Sequence, residues 1–184
     1  MKLFFDTEFT GLQKDTSLIS IGIVMENGNT FYAELTDYNK GQVDDWLQKN
    51  VMDNLLFNER THFVEYGNHC RMKGTKETLR NELTIWLSQY GKIDVWSDCL
   101  AYDWVLFNDI FGHAFNVPKN IYYIPYDICT MFKLAGVDPD ISREDYSQYV
   151  MDESSKKHNA LHDAYVIQAC YNKLEKKLKG VAVN

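Results

Sequence analysis

The sequence predicts an α/β protein: a mixed sheet, antiparallel in its first strands and parallel in its later ones, with helices on both faces. Three observations carry that expectation. The chain opens with three apolar or alternating segments, the second and third joined by Asn27-Gly28, a strong two-residue hairpin signal. From there to the end, helix-period and strand-like segments alternate. With 184 residues, a hydrophobic fraction of 45% and no Pro/Gly/Ser-rich linker, the chain reads as one domain over 1–184.

Residues 2–6 read as a short buried strand. Residues 17–26 (SLISIGIVME) form a second, β-branched and apolar, and 30–35 (TFYAEL) alternate and pair back as a third. A helix is expected within 42–56, where Val43, Trp46, Leu47 and Val51 fall near helical spacing. Residues 58–74 carry no clear period and read as a loop. Leu79, Leu83, Trp86, Leu87 and Tyr90 mark one helical face, with Thr75 as its N-cap and Gly91 as its stop. Residues 92–96 (KIDVW) make a buried strand, 100–111 a helix ending at Gly112, and 121–124 a short strand bounded by Pro125. The last helix is the clearest: Ala160, Ala164, Ile167, Tyr171, Leu174 and Leu178 step along one stripe. Residues 139–157 are unplaced; they lead into His158 and suit a lid that orders with substrate. The lysines at 173–179 read as a solvated helix end.

Four acids stand out from the solvated majority. Asp6 and Glu8 are two apart at the end of the first strand and so point to one face. Spacing alone leaves two readings, a carboxylate pair around a cation or two wet acids where the strand frays. Asp103 lies among large apolar residues in the first turn of a helix, where an acid is also favoured by the helix dipole. Asp163 opens the last helix beside its apolar stripe, and His158 lies five residues earlier on the approach to it.

Taken together, the strings FFDTEFTGL (4–12), AYDWVLF (101–107) and HNALHDA (158–164) resemble the DEDDh exonucleases of the DnaQ-like, RNase H-like fold. The resemblance covers essentially the whole chain, in order. Within that group the opening FFDTEF, the LISIG strand, the NG hairpin with FYAE and the VW…AYD segment are most similar to the RNase AS-like 3'-5' exoribonucleases. Proofreading DNA exonucleases usually carry Asn four residues before the third acid. Cys99 stands there in this chain, which weakens the DNA-proofreading reading.

The resemblance implies metal-dependent hydrolysis of single-stranded RNA from its 3' end, giving nucleoside 5'-monophosphates with two divalent cations clamping the attacking and leaving oxygens. It makes Asp6, Glu8, Asp103 and Asp163 the metal ligands; their hard oxygens suit Mg²⁺ or Mn²⁺. It makes His158 the general base, with an unperturbed pKa of about 6.5. It assigns Thr7, Phe9, Thr10 and Leu12 to the terminal nucleotides, with Leu12 a wedge between the last two bases. The alternatives are an oligoribonuclease acting on very short RNA, a 3'-5' DNA exonuclease of the same class, and a non-catalytic nucleic-acid-binding module. A zinc site on His158 and His162, spaced i, i+4, is a further rival without a Glu in the HExxH position.

Composition constrains the partners. With 26 acids against 19 bases, a formal charge of -7, the surface cannot hold long nucleic acid by general attraction, so the grip must be local. The longest apolar run at the start is Leu3-Phe4-Phe5, short of a signal peptide or membrane span. The four cysteines are far apart, without a Cys-x-x-Cys pair. The expectation is a cytoplasmic protein with no membrane partner. Related exoribonucleases are often homodimers, and an aromatic content of 14% permits such an interface.

Overall fold

β1 (Lys2–Phe9), β2 (Leu18–Met25) and β3 (Thr30–Leu35) form the expected antiparallel meander in the computed structural model, which describes residues 1–149 and 157–180. The hairpin closes where the turn chemistry requires, with Gly28 at φ +90° and the Met25 N–H bonded to the Asn29 carbonyl at 2.8 Å. β2 and β3 are buried along their full length, consistent with their apolar composition. In the β1–β2 register Asp6 lies opposite Gly22 and Glu8 opposite Ser20, and a register shift follows between Glu8 and Phe9. A shift of this kind re-aims the side chains beyond it.

The stretch 58–74, expected to be a loop, instead contains β4 (Phe63–Glu65) and β5 (His69–Gly74). β5 runs parallel to β3, and β4 pairs antiparallel with β5 at the sheet edge. Cys70 and Met72 are the only large buried side chains of β5, too few to produce a visible period. The helix expected within 42–56 is short: α1 (Asp45–Asn50), capped by the Asp44 carboxylate, with Leu47 buried and Trp46 exposed.

α2 (Lys76–Ser88) starts at the predicted Thr75 cap and ends shortly before Gly91. It is followed by β6 (Asp94–Ser97), parallel to β1, and α3 (Ala101–Ile110). The strand expected at 121–124 reduces to a single bridge from Ile121 to Ile93. Tyr123 and Ile124 face solvent, and the pairing resumes beyond Pro125 as β7 (Tyr126–Asp127). Two further helices complete the chain before the last: α4 (Ile128–Leu134) and α5 (Arg143–Ser147). α6 (Ala160–Leu178) buries five of its six predicted stripe residues; Leu178 is exposed at the end. The expected lid spans 139–157; α5 lies within it, and 150–156 fall outside the described residues.

The seven strands are ordered β4-β5-β3-β2-β1-β6-β7, with helices on both faces. Alternation along β1 sorts its side chains. Leu3 and Phe5 pack with Leu79, Leu83 and Phe107 of α2 and α3. Phe4 packs with Ile128 and Phe132 of α4 and with Val166, Ile167 and Cys170 of α6. The even-numbered acids Asp6 and Glu8 therefore share the face on which α6 lies. α6 comes down on the sheet at Gly22, where a Cβ would stand 2.3 Å from the backbone of Ala160. Only glycine allows that approach, and it sets the helix start beside Asp6. No described helix is long and apolar enough to cross a membrane.

Candidate active site

Two sequence-distant acids and a histidine converge at the end of β1. Ligand atoms of Glu8, His158 and Asp163 all lie within 4.8 Å of one another. Asp6 and Asp163 line one wall of an adjoining cleft of about 320 Å³, which Asp98, Arg143, Glu144 and Lys157 complete. Asp103 approaches from the opposite side. Its carboxylate accepts from the backbone N–H of Thr7 at 3.2 Å, from the Thr7 hydroxyl, and from Ser97 Oγ at 3.1 Å.

Glu8 and Asp103 are buried, Asp6 and Asp163 half-buried, and the four repel one another. Burial, followed by the charges of Asp103, Asp163 and Glu8, raises the Asp6 carboxyl well above its ordinary range. Burial pushes Glu8 up to about 8, with Asp163 adding to the effect. Asp163 rises to about 7, chiefly by burial and then by Glu144. Asp103 rises only to about 6, because the hydrogen bonds from Thr7 and Ser97 oppose its burial. A group of acids held in these conditions suits hard cations, which relieve the repulsion and satisfy the oxygens together. The residues present therefore fit Mg²⁺ or Mn²⁺.

The backbone places His158. Its φ is +62°, a left-handed turn that aims its N–H at Asp163 Oδ2, 3.0 Å away. Its ring meets the edge of Trp46 at 5.3 Å. Burial lowers its pKa, Lys157 lowers it further, and Glu144 pulls the other way. The start of α6 is anchored as well. Asn159 caps the helix and donates to the Asn54 carbonyl at 3.1 Å, and Asn54 donates to the Lys157 carbonyl at 3.0 Å. The fully buried Glu34 holds the same 52–58 region by accepting from the N–H groups of Leu56 and Phe57.

Phe9, Thr10 and Leu12 line a second groove of about 600 Å³ that begins at Glu8 and is closed by Trp46 on its far side. Leu12 is 75% exposed, and its carbonyl accepts from the Tyr102 hydroxyl; the Tyr102 ring stacks on Phe9 at 5.5 Å. Thr10 contributes wall only, since its hydroxyl donates to Gln42 and accepts from the Ser17 N–H. Thr7 is placed apart from the other three residues expected to meet the terminal nucleotides. It is buried, lines neither of these two cavities and gives its hydroxyl to Asp103, so its side chain is engaged with an acid. The rival pair His158 and His162 does not converge. His162 is buried near Tyr149, its Nδ1 lacks a partner, and among the described residues it belongs to no metal-capable group.

Sequence reasoning missed Asp98, Arg143, Glu144 and Lys157. Asp98 follows β6 directly, so its place at the strand end was the available signal. Arg143 clasps it with Nε at 2.7 Å and Nη2 at 3.0 Å, a forked ion pair between residues 45 apart in the chain.

Acids at the end of β1, on α3 and at the start of the last helix thus meet on one mixed α/β sheet. The chain belongs to the family described as the 3'-5' exoribonuclease Rv2179c-like domain, whose model matches residues 1–174. Two curated relatives, the 3'-5' exoribonucleases Rv2179c and MT2234.1 of Mycobacterium tuberculosis strains, are 29% identical over 100 residues. That match covers 50% of this chain and 58% of each relative. Among solved structures, the nuclease domain of 3'hExo, a DEDDh family member bound to rAMP, superposes with a TM-score of 0.61 at 16% identity, covering all of this chain and 95% of that one. The Pan2 catalytic unit of Neurospora crassa gives 0.55 at 16% identity, covering 97% of this chain and 27% of that one. At such identities the likeness is one of fold.

Proposed function

We propose that this chain, acting as a single exonuclease domain over 1–184, removes nucleoside 5'-monophosphates from the 3' end of single-stranded RNA. The observation that carries the reading is the convergence of Glu8, His158 and Asp163 within 4.8 Å, beside the half-buried Asp6. Family membership and the printed activity of the mycobacterial relatives support the choice of RNA.

Asp6, Glu8, Asp103 and Asp163 would hold two divalent cations, Mg²⁺ or Mn²⁺. When bound, these supply electrostatic stabilisation to the attacking and leaving oxygens. His158 takes the proton of the attacking water on a ring nitrogen. Its depressed pKa keeps that nitrogen free near neutral pH. Thr7 and Ser97 keep Asp103 ionised and aimed by donating to it. Trp46 fixes the tilt of the His158 ring. The groove from Glu8 to Leu12 receives the last nucleotides; stacking there contributes about 1–3 kcal/mol per base without reading sequence. The protein is acidic overall, so binding stays local to this groove and its cations.

The test is digestion of ribo- and deoxy-oligomers, each blocked at one end or the other, with Mn²⁺, Mg²⁺ or chelator. Expected are mononucleotides from ribo strands with a free 3' end, and none with chelator. Stepwise release from long as well as very short strands separates this reading from an oligoribonuclease. Deoxy strands degraded as fast as ribo strands would shift the assignment to a DNA exonuclease. Strand binding without mononucleotide release under every cation would overturn catalysis altogether.

A further inference from the structure

Behind the wall of the cleft lies a second cluster of a different chemical kind. Cys99 and Cys129, 30 residues apart, bring their sulfurs to 3.7 Å, and Cys129 Sγ donates to Asp98 Oδ1 at 3.1 Å. One ligand atom from each of Asp98, Cys99 and Cys129 lies within 4.8 Å of the other two. We propose that these three residues form a site for one thiophilic divalent cation of the zinc class, separate from the hard-cation site.

Three observations support it. The first is spacing. A tetrahedral ion with metal–sulfur bonds of about 2.3 Å needs its two sulfurs about 3.8 Å apart, which matches the pair as it stands. The sulfur–oxygen edge needs about 3.6 Å, so Asp98 has to withdraw by about half an ångström once the thiol proton between them is gone. The second is preorganisation. The Asp127 carboxylate accepts from the Leu100 N–H at 3.2 Å and from the Cys129 N–H at 2.7 Å, tying together the two segments that carry the cysteines. Cys99 itself is left-handed, at φ +50°, a conformation that costs energy in a non-glycine residue.

The third is charge. Binding replaces two S–H bonds by two metal–sulfur bonds and releases two protons to solvent. Two thiolates and one carboxylate carry three negative charges. The dication and the Arg143 guanidinium, already forked on Asp98 and 3.3 Å from Cys129 Sγ, carry three positive ones. The three ligands and these two cations balance, and the Asp127 carboxylate beside the cysteine segments leaves one net negative charge there. Cys99 is exposed, so an ion can enter from solvent and keep water as its fourth ligand. Asp98 also lines the catalytic cleft with Asp6 and Asp163, so the ion would sit directly behind that wall.

Cobalt(II) is the probe, titrated into the reduced full-length protein. Thiolate ligation gives an intense near-ultraviolet charge-transfer band that carboxylate ligation does not. The expected result is one equivalent with that band, and at least tenfold slower alkylation of Cys99. Cys99→Ser, at an exposed position, abolishes the band, while Asp163→Asn retains it. Retention in Asp163→Asn separates this site from the nuclease site, so either assignment can fail alone. The proposal is overturned if the reduced protein gives no such band while its thiols remain titratable. It is overturned equally if the band survives in both Cys99→Ser and Cys129→Ser, or if the sulfurs form a disulfide on mild oxidation and bind no cobalt when reduced.

Discussion

Asp98 and Asp163 line the same cleft, yet the protein treats them in opposite ways. Asp98 receives a forked guanidinium from Arg143. Asp163 is placed with Glu8 and Asp6, and no described lysine or arginine lies within ion-pair distance of these three carboxylates. A partly buried acid with its own counter-ion is settled within the fold. A set of buried acids left without one is stable only as protonated groups or around cations from outside. More sharply than burial does, the difference separates a carboxylate with a counter-ion from the protein's own chain and a set left without one.

Asp163→Asn presses hardest on that contrast. It should keep the fold and lower mononucleotide release by about a thousandfold, since several kcal/mol of cation-held stabilisation are lost. Asp98→Asn should instead lower turnover by less than about tenfold and stability by about 1–2 kcal/mol, because it strands Arg143 at a site still touched by solvent. Equal losses of turnover in the two variants would break the distinction. His158→Ala comes next, with a rate loss of about 10²-fold or more and Mn²⁺ binding retained by calorimetry. A variant with an unchanged rate across pH 6–9 would remove His158 as the base.

Gly22→Ala tests the backbone instead of the charges. The added carbon meets the main chain of Ala160, so α6 must lift. A loss of about 1–3 kcal/mol in denaturant unfolding is expected, together with weaker cation binding. A further effect is one of pH. The folded-state pKa values of Glu8 and Asp163 lie near 8 and 7, above the ordinary values they regain on unfolding. The folded, cation-free protein therefore holds more protons than the unfolded chain, and stability falls as pH rises from about 4 to 8. Mn²⁺ should raise the melting temperature more at pH 8.5 than at pH 5.5; the reverse order would contradict the acid cluster.

Much of this was legible in the residues. The meander was readable because Asn27-Gly28 fixes its turn and β2 is apolar throughout, and α6 because its stripe runs for nearly five turns. The acids were readable as a set through the resemblance of their three strings to a known family; position alone left each open to a solvated or capping role. β4 and β5 were not, since their pairing energy comes from β3 and leaves only two large buried side chains in β5. The pairing of Asp98 with Arg143 was equally silent, because an ion pair across 45 residues leaves no local period. The engagement of Thr7 with Asp103 was not legible either, because alternation turns its side chain to the face opposite Asp6 and Glu8.

The contact at Gly22 has one more consequence. Main chain rests on main chain there, so the gap between Asp6 and the start of α6 has no side-chain spacer whose length mutation could alter. Substitutions around Cys170 and Leu174 can tilt the distal end of the helix, while its proximal end stays pivoted on the sheet. Evolutionary drift in the hydrophobic layers is thereby insulated from the ångström-scale spacing that hydrolysis demands.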